Sequence, residues 1–240
     1  MKEIFKNGTS IFLRFVIINI ISFITVISFA LLFTSFFTEN IGYKAIGTVG
    51  DSTKQVELYT HYNSDGEDVK KAEFEEQGYT ITQINIRSTL SAAANNTMLI
   101  IIQIFCFIFL VSFIYPKIWS LGDSDSNLVR FKHKNEDVFK GLKIGLVALI
   151  PHSIVFIALI VAKMGAYEKL SLDLYKFFNS VFYSFNVVII GDSANLSELS
   201  CWRFALLFAV QFFVPIICTA AYILGYRNYS VSENIIYKKK

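Results

Sequence analysis

Residues 123–127 read Asp-Ser-Asp-Ser-Asn, with oxygen ligands at alternate positions as at the start of a calcium-binding loop. The rest of that loop is missing. Counting from Asp123, the sixth position is Leu128, where the sharp turn requires glycine, and the twelfth is Lys134, where the bidentate glutamate belongs. A solvated turn is expected here, with Lys132, His133 and Lys134 just beyond it as a basic patch of the kind that meets lipid headgroups. The three histidines, His61, His133 and His152, fall in three separate segments and are not expected to converge on a metal ion. The chain has no His-Glu-x-x-His helix, Cys-x-x-Cys pair, Gly-x-Ser-x-Gly elbow or glycine-rich phosphate loop. The reading is therefore non-enzymatic, with no catalytic, metal or cofactor site.

A second constellation lies inside long apolar runs. Pro151 and Pro215 are each expected to kink a helix and free the carbonyl four residues earlier, at Val147 and Gln211. His152 and Ser153 follow the first proline, Gln211 precedes the second, and Gln103 occupies another run. Unsatisfied polar groups are costly in hydrocarbon, so Gln103, Pro151, His152, Ser153, Gln211 and Pro215 are expected to gather as an intramembrane polar cluster. Such a cluster serves as interhelical adhesion or, if it lines a path, as a substrate route. Neutral chemistry favours adhesion, because no ionised side chain accompanies it. Gly141 and Gly145 have the small-xxx-small spacing that lets two helices approach closely.

The elements that must position these residues are four charge-free apolar runs, 15–37, 98–115, 144–162 and 204–226. At a rise of about 1.5 Å per residue each is long enough to cross a hydrocarbon core of about 30 Å. The composition agrees, with 54% hydrophobic and 16% aromatic residues and every charge confined to the ends and connections. The expected fold is an all-α polytopic membrane protein, a four-helix transmembrane bundle with a small extracytoplasmic β-α-β cap. Thirteen of the 22 Lys and Arg residues fall in 1–14, 116–143 and 227–240, including Lys238, Lys239 and Lys240. Basic residues are retained on the cytoplasmic side, which puts both termini there, in a multi-pass protein of the plasma membrane. The first run is too long for a signal-peptide core and reads as an uncleaved anchor, and no lipidation motif is found.

The divisions expected are 1–37, N-terminus and first span; 38–97, the cap; 98–162, two spans and a cytoplasmic loop; 163–203, an extracytoplasmic loop; and 204–240, the last span and basic tail. Within 38–97, residues 55–62 alternate like a strand, 67–77 are rich in helix formers, and 79–86 are β-branched and aromatic. Asp65-Gly66 and Gly78 punctuate these pieces, Gly78 at the place of a left-handed helix cap. If the two strands are parallel neighbours, their crossover should be right-handed. Cys106 and Cys218 fall in spans and Cys201 near the outer surface, so no internal disulfide is expected outside the membrane. Residues 170–190 are nearly as apolar as a span but carry a partly polar stripe, read as an interfacial helix beneath the cap; a fifth span would move the basic tail outside.

The run Gly66-Glu67-Asp68-Val69-Lys70-Lys71-Ala72-Glu73-Phe74 through Gly78-Tyr79-Thr80, then Gly141-Leu142-Lys143-Ile144-Gly145 with Pro151, and Leu224-Gly225-Tyr226, resemble uncharacterised tetraspanning membrane proteins of low-GC Gram-positive bacteria. The resemblance implies the same topology and no assigned activity. The four-span plan with a strand-bearing first outer loop is also similar to the claudins in topology, but 38–97 has neither the tryptophan nor the cysteine pair of that family's loop, so its junctional role is not carried over. The function expected is a non-enzymatic interaction or sensory protein acting through its acidic cap. The alternative is a small transporter or an accessory subunit of a transport complex, although the halves show no internal repeat. Expected partners are the lipid bilayer and a protein partner or a second copy as a homodimer. Nucleic acid is not among them, because the cytoplasmic pieces are short.

Overall fold

A computed structural model describes residues 1–49, 55–61, 66–164, 172–191 and 196–229. The basic tail Lys238–Lys240, and Asp65 of the expected turn, lie outside the described residues. The chain is mostly helical, with four long apolar helices and one small sheet. Helix α1 (Lys2–Phe37) is followed by strands β1 (Thr38–Val49) and β2 (Gln55–His61), helix α2 (Glu67–Glu76) and strand β3 (Tyr79–Leu90). Then come α3 (Ala92–Arg130), α4 (Lys140–Lys163), α5 (Leu172–Phe178), α6 (Tyr183–Ile190), α7 (Cys201–Val210) and α8 (Phe213–Tyr226). The apolar helices α1, α3, α4 and the α7–α8 pair are each long and apolar enough to cross a membrane. Two compact units emerge, Ser28–Leu99, and Met1–Ile27 with Ile100–Lys240.

In the Ser28–Leu99 unit the strand order is β2-β1-β3 and both pairings are antiparallel. The strands expected around α2 are present, and run parallel to each other, but they are not neighbours. The strand between them, β1, was not expected: Gly42 and Gly47 weaken its sequence signature. Gly42 is needed because a Cβ there would collide with the Thr60 carbonyl across the sheet. Gly78 has φ 87° and its N–H meets the Glu75 carbonyl at 3.0 Å, the left-handed cap read from the sequence. Helix α2 lays Phe74 on Ala45 and Ile81, which form the small apolar core of this unit.

In the helical unit α1 buries Ile11, Phe15 and Ile18 along one face while Leu13, Ile17 and Ile20 stay exposed. A helix apolar all round is the pattern of a membrane span. At Gly141 and Gly145 helix α8 comes close to α4. A Cβ on Gly145 would lie 2.5 Å from Pro215 Cα, and one on Gly141 2.6 Å from Tyr222 Cβ, so α4 and α8 meet backbone to backbone. Gly122 on α3 and Gly225 on α8 do the same, against the carbonyls of Tyr222 and Trp119.

Two further expectations are corrected by the structure, at residues 123–127 and 172–190. Residues 123–127 are not a solvated turn: α3 continues to Arg130, and Asp125 is buried. Where Pro215 is expected to kink the fourth apolar run, the run divides into α7 and α8 at Gln211 and Phe212, and the carbonyl that Pro215 leaves without its usual partner accepts from the Val214 N–H at 3.3 Å. Residues 172–190 are not one helix lying on a surface. They form α5, a 3-10 turn at Ser180–Phe182 and α6, and Tyr175, Asn179, Ser180, Val181, Phe182, Ser184, Asn186 and Ile190 are buried. Of the polar residues in the expected stripe, Asn179, Ser180 and Asn186 are buried, and Asn179 Nδ2, Ser180 Oγ and Asn186 Nδ2 donate to the carbonyls of Tyr175, Phe177 and Asn179.

Candidate functional site: a broken helix among the apolar helices

Between α5 and α6 the backbone leaves helical geometry at Asn179 (φ −122°, ψ 36°) and Phe182 (φ −111°, ψ 25°). A break strands N–H and C=O groups, and among apolar helices these must be met by protein. Asn19 of α1 accepts the Val181 N–H through Oδ1 at 3.2 Å, and Gln103 of α3 donates from Nε2 to the Val181 carbonyl at 3.1 Å. One peptide-bearing residue of the break is thus held from two different long helices. Asn186 Nδ2 donates to the Asn179 carbonyl at 3.2 Å, and the Phe182 N–H reaches the same carbonyl at 2.9 Å. On the α5 side Gln211 Nε2 donates to the Tyr175 hydroxyl at 3.1 Å, and that hydroxyl donates to the Leu207 carbonyl at 3.4 Å. Farther along, Arg203 Nη1 meets the Ile190 carbonyl at the end of α6, 3.1 Å away, and Lys163 Nζ meets the Leu199 carbonyl.

The residues singled out from the sequence therefore do not form one cluster. Gln103 bonds the break itself, at Val181, and Gln211 bonds Tyr175 on α5. Ser153 turns back on its own helix, donating to the Leu149 carbonyl at 3.1 Å. Pro151 and His152 line a groove instead, with Val16, Asn19 and Ile20 of α1 and Asn179 of the break; its cavity is about 580 Å³. The His152 ring stands edge-on to Phe15, with centroids 4.3 Å apart. On two of the residues that line it, His152 Nε2 and Asn179 Oδ1 are buried without a hydrogen-bond partner among the described residues. His61 and His133 lie on β2 and in the turn after α3, away from His152 in the sequence and on other elements. Asn19, Tyr175 and Asn179 were missed; their signal was polar side chains in apolar surroundings, which the sequence gives without showing which atoms they meet.

A charged cluster was also missed. Lys140 at the start of α4 bonds Asp125 at 2.6 Å and Glu3 at 2.5 Å, and Lys134 bonds Asp125 at 2.7 Å and Glu3 at 3.0 Å. The Tyr222 hydroxyl donates to Asp125 Oδ2 at 2.9 Å. The side chains of Lys140 and Asp125 are 3% and 4% exposed, so this pair is desolvated and its neutrality is what makes burial tolerable. Burial alone would lower the Lys134 ammonium, but its hydrogen bonds to Asp125 and Glu3 win and hold it above the ordinary lysine range. Each of α1, α3, α4 and α8 contributes one residue to the cluster, which ties their ends together.

Compared with protein-family models, curated proteins and solved structures, the chain matches none of them. The chemistry of the two sites stands on geometry alone. Neutral amides stitch a broken helix, two unpartnered polar atoms are buried in the wall of an apolar groove, and a charge-balanced network fastens helix ends; none of these presents a nucleophile beside a base.

Proposed function

We propose that the four apolar helices form a transmembrane four-helix bundle in the plasma membrane, with both termini cytoplasmic, and that residues 38–97 form an extracytoplasmic cap through which the protein senses or binds a partner without catalysis. The observation that carries this reading is the strand ladder at the foot of the sheet. Thr38, the residue after α1, pairs with Leu90, which is separated from α3 by Ser91 alone. With no flexible linker on either side, a partner that changes the twist or pairing of β1 and β3 acts directly on the ends of two spans. Such a partner shifts the helices only as far as it prefers one arrangement over the other.

Purification in mild detergent, with mass spectrometry and sizing of what accompanies the chain, tests the proposal. A partner that binds the full chain, and is lost when residues 38–90 are replaced by a flexible linker, supports it. A partner held equally by both chains overturns it. For topology, cysteines placed singly at Tyr59 and Lys240 in a Cys201→Ser background should react with an impermeant thiol reagent at Tyr59 in intact cells and at Lys240 only after permeabilisation. External labelling at Lys240 sinks the four-span arrangement.

One observation favours a second reading, an accessory subunit of a transport complex. Discontinuous helices whose freed backbone groups face polar side chains are how many transporters build sites within the membrane, and α5–α6 has that form. A stoichiometric permease or ATPase in the same purification selects this reading.

A further inference from the structure

We infer that Arg14 of α1 and Lys117 of α3 bind the phosphate of an anionic phospholipid, one whose head group carries no compensating ammonium. The inference goes beyond a role for the cap and rests only on α1 and α3 spanning a bilayer. Three observations converge on it. The first is placement. Arg14 immediately precedes the charge-free run 15–37, and Lys117 comes two residues after the run 98–115. Each is therefore the first charge met on leaving the apolar stretch, on the side proposed as cytoplasmic, where the leaflet is anionic.

The second observation brings the two cations to one turn of α3. Pro116 has no N–H to offer the Ser112 carbonyl, which weakens that turn, and beside it Arg14 Nη1 donates to the Phe113 carbonyl at 2.8 Å. Lys117 stands one turn beyond Phe113 on the same face, and helical side chains lean toward the preceding turn, over the place where Arg14 arrives. Lys117 is exposed and Arg14 half-buried, with Leu13, Ile17 and Val111 exposed nearby, so lipid reaches both.

The third observation is charge. No carboxylate reaches Arg14 or Lys117 among the described residues, because Glu3 and Asp125 are held by Lys134 and Lys140. Asp123, the other acid on α3, lies about 9 Å beyond Lys117 along the axis. Two cations beside hydrocarbon without a counter-ion favour an anion between them. A phosphate fits: the guanidinium fork bonds two of its oxygens, through donors other than the one on Phe113, and Lys117 adds a point charge. A choline head group would bring a third cation to the same place, which selects a lipid that is anionic overall.

The test places the full chain in nanodiscs of equimolar phosphatidylglycerol and phosphatidylcholine and counts the lipid it retains by native mass spectrometry. Phosphatidylglycerol should be retained over phosphatidylcholine by about tenfold, the order that two basic contacts supply. Arg14→Gln should remove most of that preference and Lys117→Gln part of it. Arg130→Gln makes the same charge change on the same helix, about 20 Å beyond Lys117, and should leave the preference unchanged. Equal losses from Arg14→Gln and Arg130→Gln overturn the site in favour of a general attraction between basic helix ends and anionic lipid. Equal retention of the two lipids overturns it as well. Displacement of phosphatidylglycerol by inorganic phosphate overturns it in favour of a soluble anion. Should Arg14→Gln fail to fold, Lys117→Gln, at an exposed position, and the comparison of lipids still decide the matter. Both lipids are present in both leaflets, so neither external labelling at Lys240 nor loss of a cap partner changes any of these outcomes.

Discussion

The two compact units differ in the chemistry they expose. The Ser28–Leu99 unit hides Ala45, Phe74 and Ile81 beneath α2 and turns Lys44, Glu57 and Tyr59 outward, as a small domain does in water. The helical unit exposes Ile154 (63%) and Val188 (71%) while burying Asn179 (2%), Asn186 (1%) and Gln211 (2%). One chain thus answers two solvents. Where the surroundings are apolar, polar atoms gain by facing each other; where they are water, apolar atoms do. Each unit also holds a lysine–carboxylate pair at 2.6 Å, Lys140–Asp125 and Lys44–Glu57, whose side chains are 3% and 4% exposed in the first and 32% and 52% in the second. Equal distances in unequal surroundings should have unequal consequences, and mutagenesis of the two pairs is the most direct way to break the comparison.

The largest effect is expected at Asp125. Asp125→Ala leaves Lys140 buried with only the partly exposed Glu3 opposite it, at a cost of about 3 kcal/mol. Thermal unfolding of the detergent-solubilised protein should show a clear drop in midpoint. The paired replacement Asp125→Leu with Lys140→Met, which removes both charges and keeps their volume, should recover most of it. A small loss for the single change would mean that water reaches the pair and that its burial does not set its energetics. The lysine beside it supplies a pH test of the same network. Lys134 titrates above its ordinary value in the folded chain, so its contribution is complete below that value and is lost as pH rises through the folded one, above about pH 10.

A middle effect is expected at Gln103. Gln103→Leu removes the donor to the Val181 carbonyl and should cost about 1 kcal/mol, near the range measured for interhelical hydrogen bonds in membranes. Hydrogen exchange should rise first at the amides of 179–183, with α1 and α3 little changed. If exchange rises along the whole of α3 instead, Gln103 holds the helices together and not the break.

These positions also mark where sequence reasoning stops. The four long apolar helices were legible because an apolar run long enough to cross a bilayer has few other uses. Gly78 was legible because a left-handed cap is a local requirement. Gln103, Gln211 and Gly145 were recognisable as interior positions, since polar and small side chains in a span must face protein. Their partners were not, because pairing of Gln103 with Val181 depends on a break 78 residues away that no local pattern announces. Residues 170–190 misled for the same reason: a partly polar helical stripe reads identically whether it faces water or buried carbonyls. Asp125 misled because the lysines that neutralise it, Lys134 and Lys140, come from beyond the end of its helix. Strand β1 escaped notice because its two glycines answer to the neighbouring strands, a requirement visible only once the sheet is assembled.

The smallest effect is expected at the exposed pair, and it completes the comparison. Lys44→Ala and Glu57→Gln should leave the thermal midpoint of the protein essentially unchanged, because an ion pair open to water gains little beyond what solvation already supplies. What should remain visible is the titration. The Lys44 ammonium, and then the Tyr59 hydroxyl donating to Glu57, hold the Glu57 carboxyl below its ordinary value. A depressed carboxyl contributes stability that is present above its unfolded pKa, about 4.3, and is lost as pH falls through the lower folded value. Carboxyl NMR of a glutamate-labelled sample should therefore show Glu57 titrating below the ordinary glutamate value on acidification, and Lys44→Ala should move it back toward that value. A large fall in thermal stability from either substitution would mean that this face of the sheet is shielded from water, and the contrast between the two pairs would have to rest on something other than their solvent.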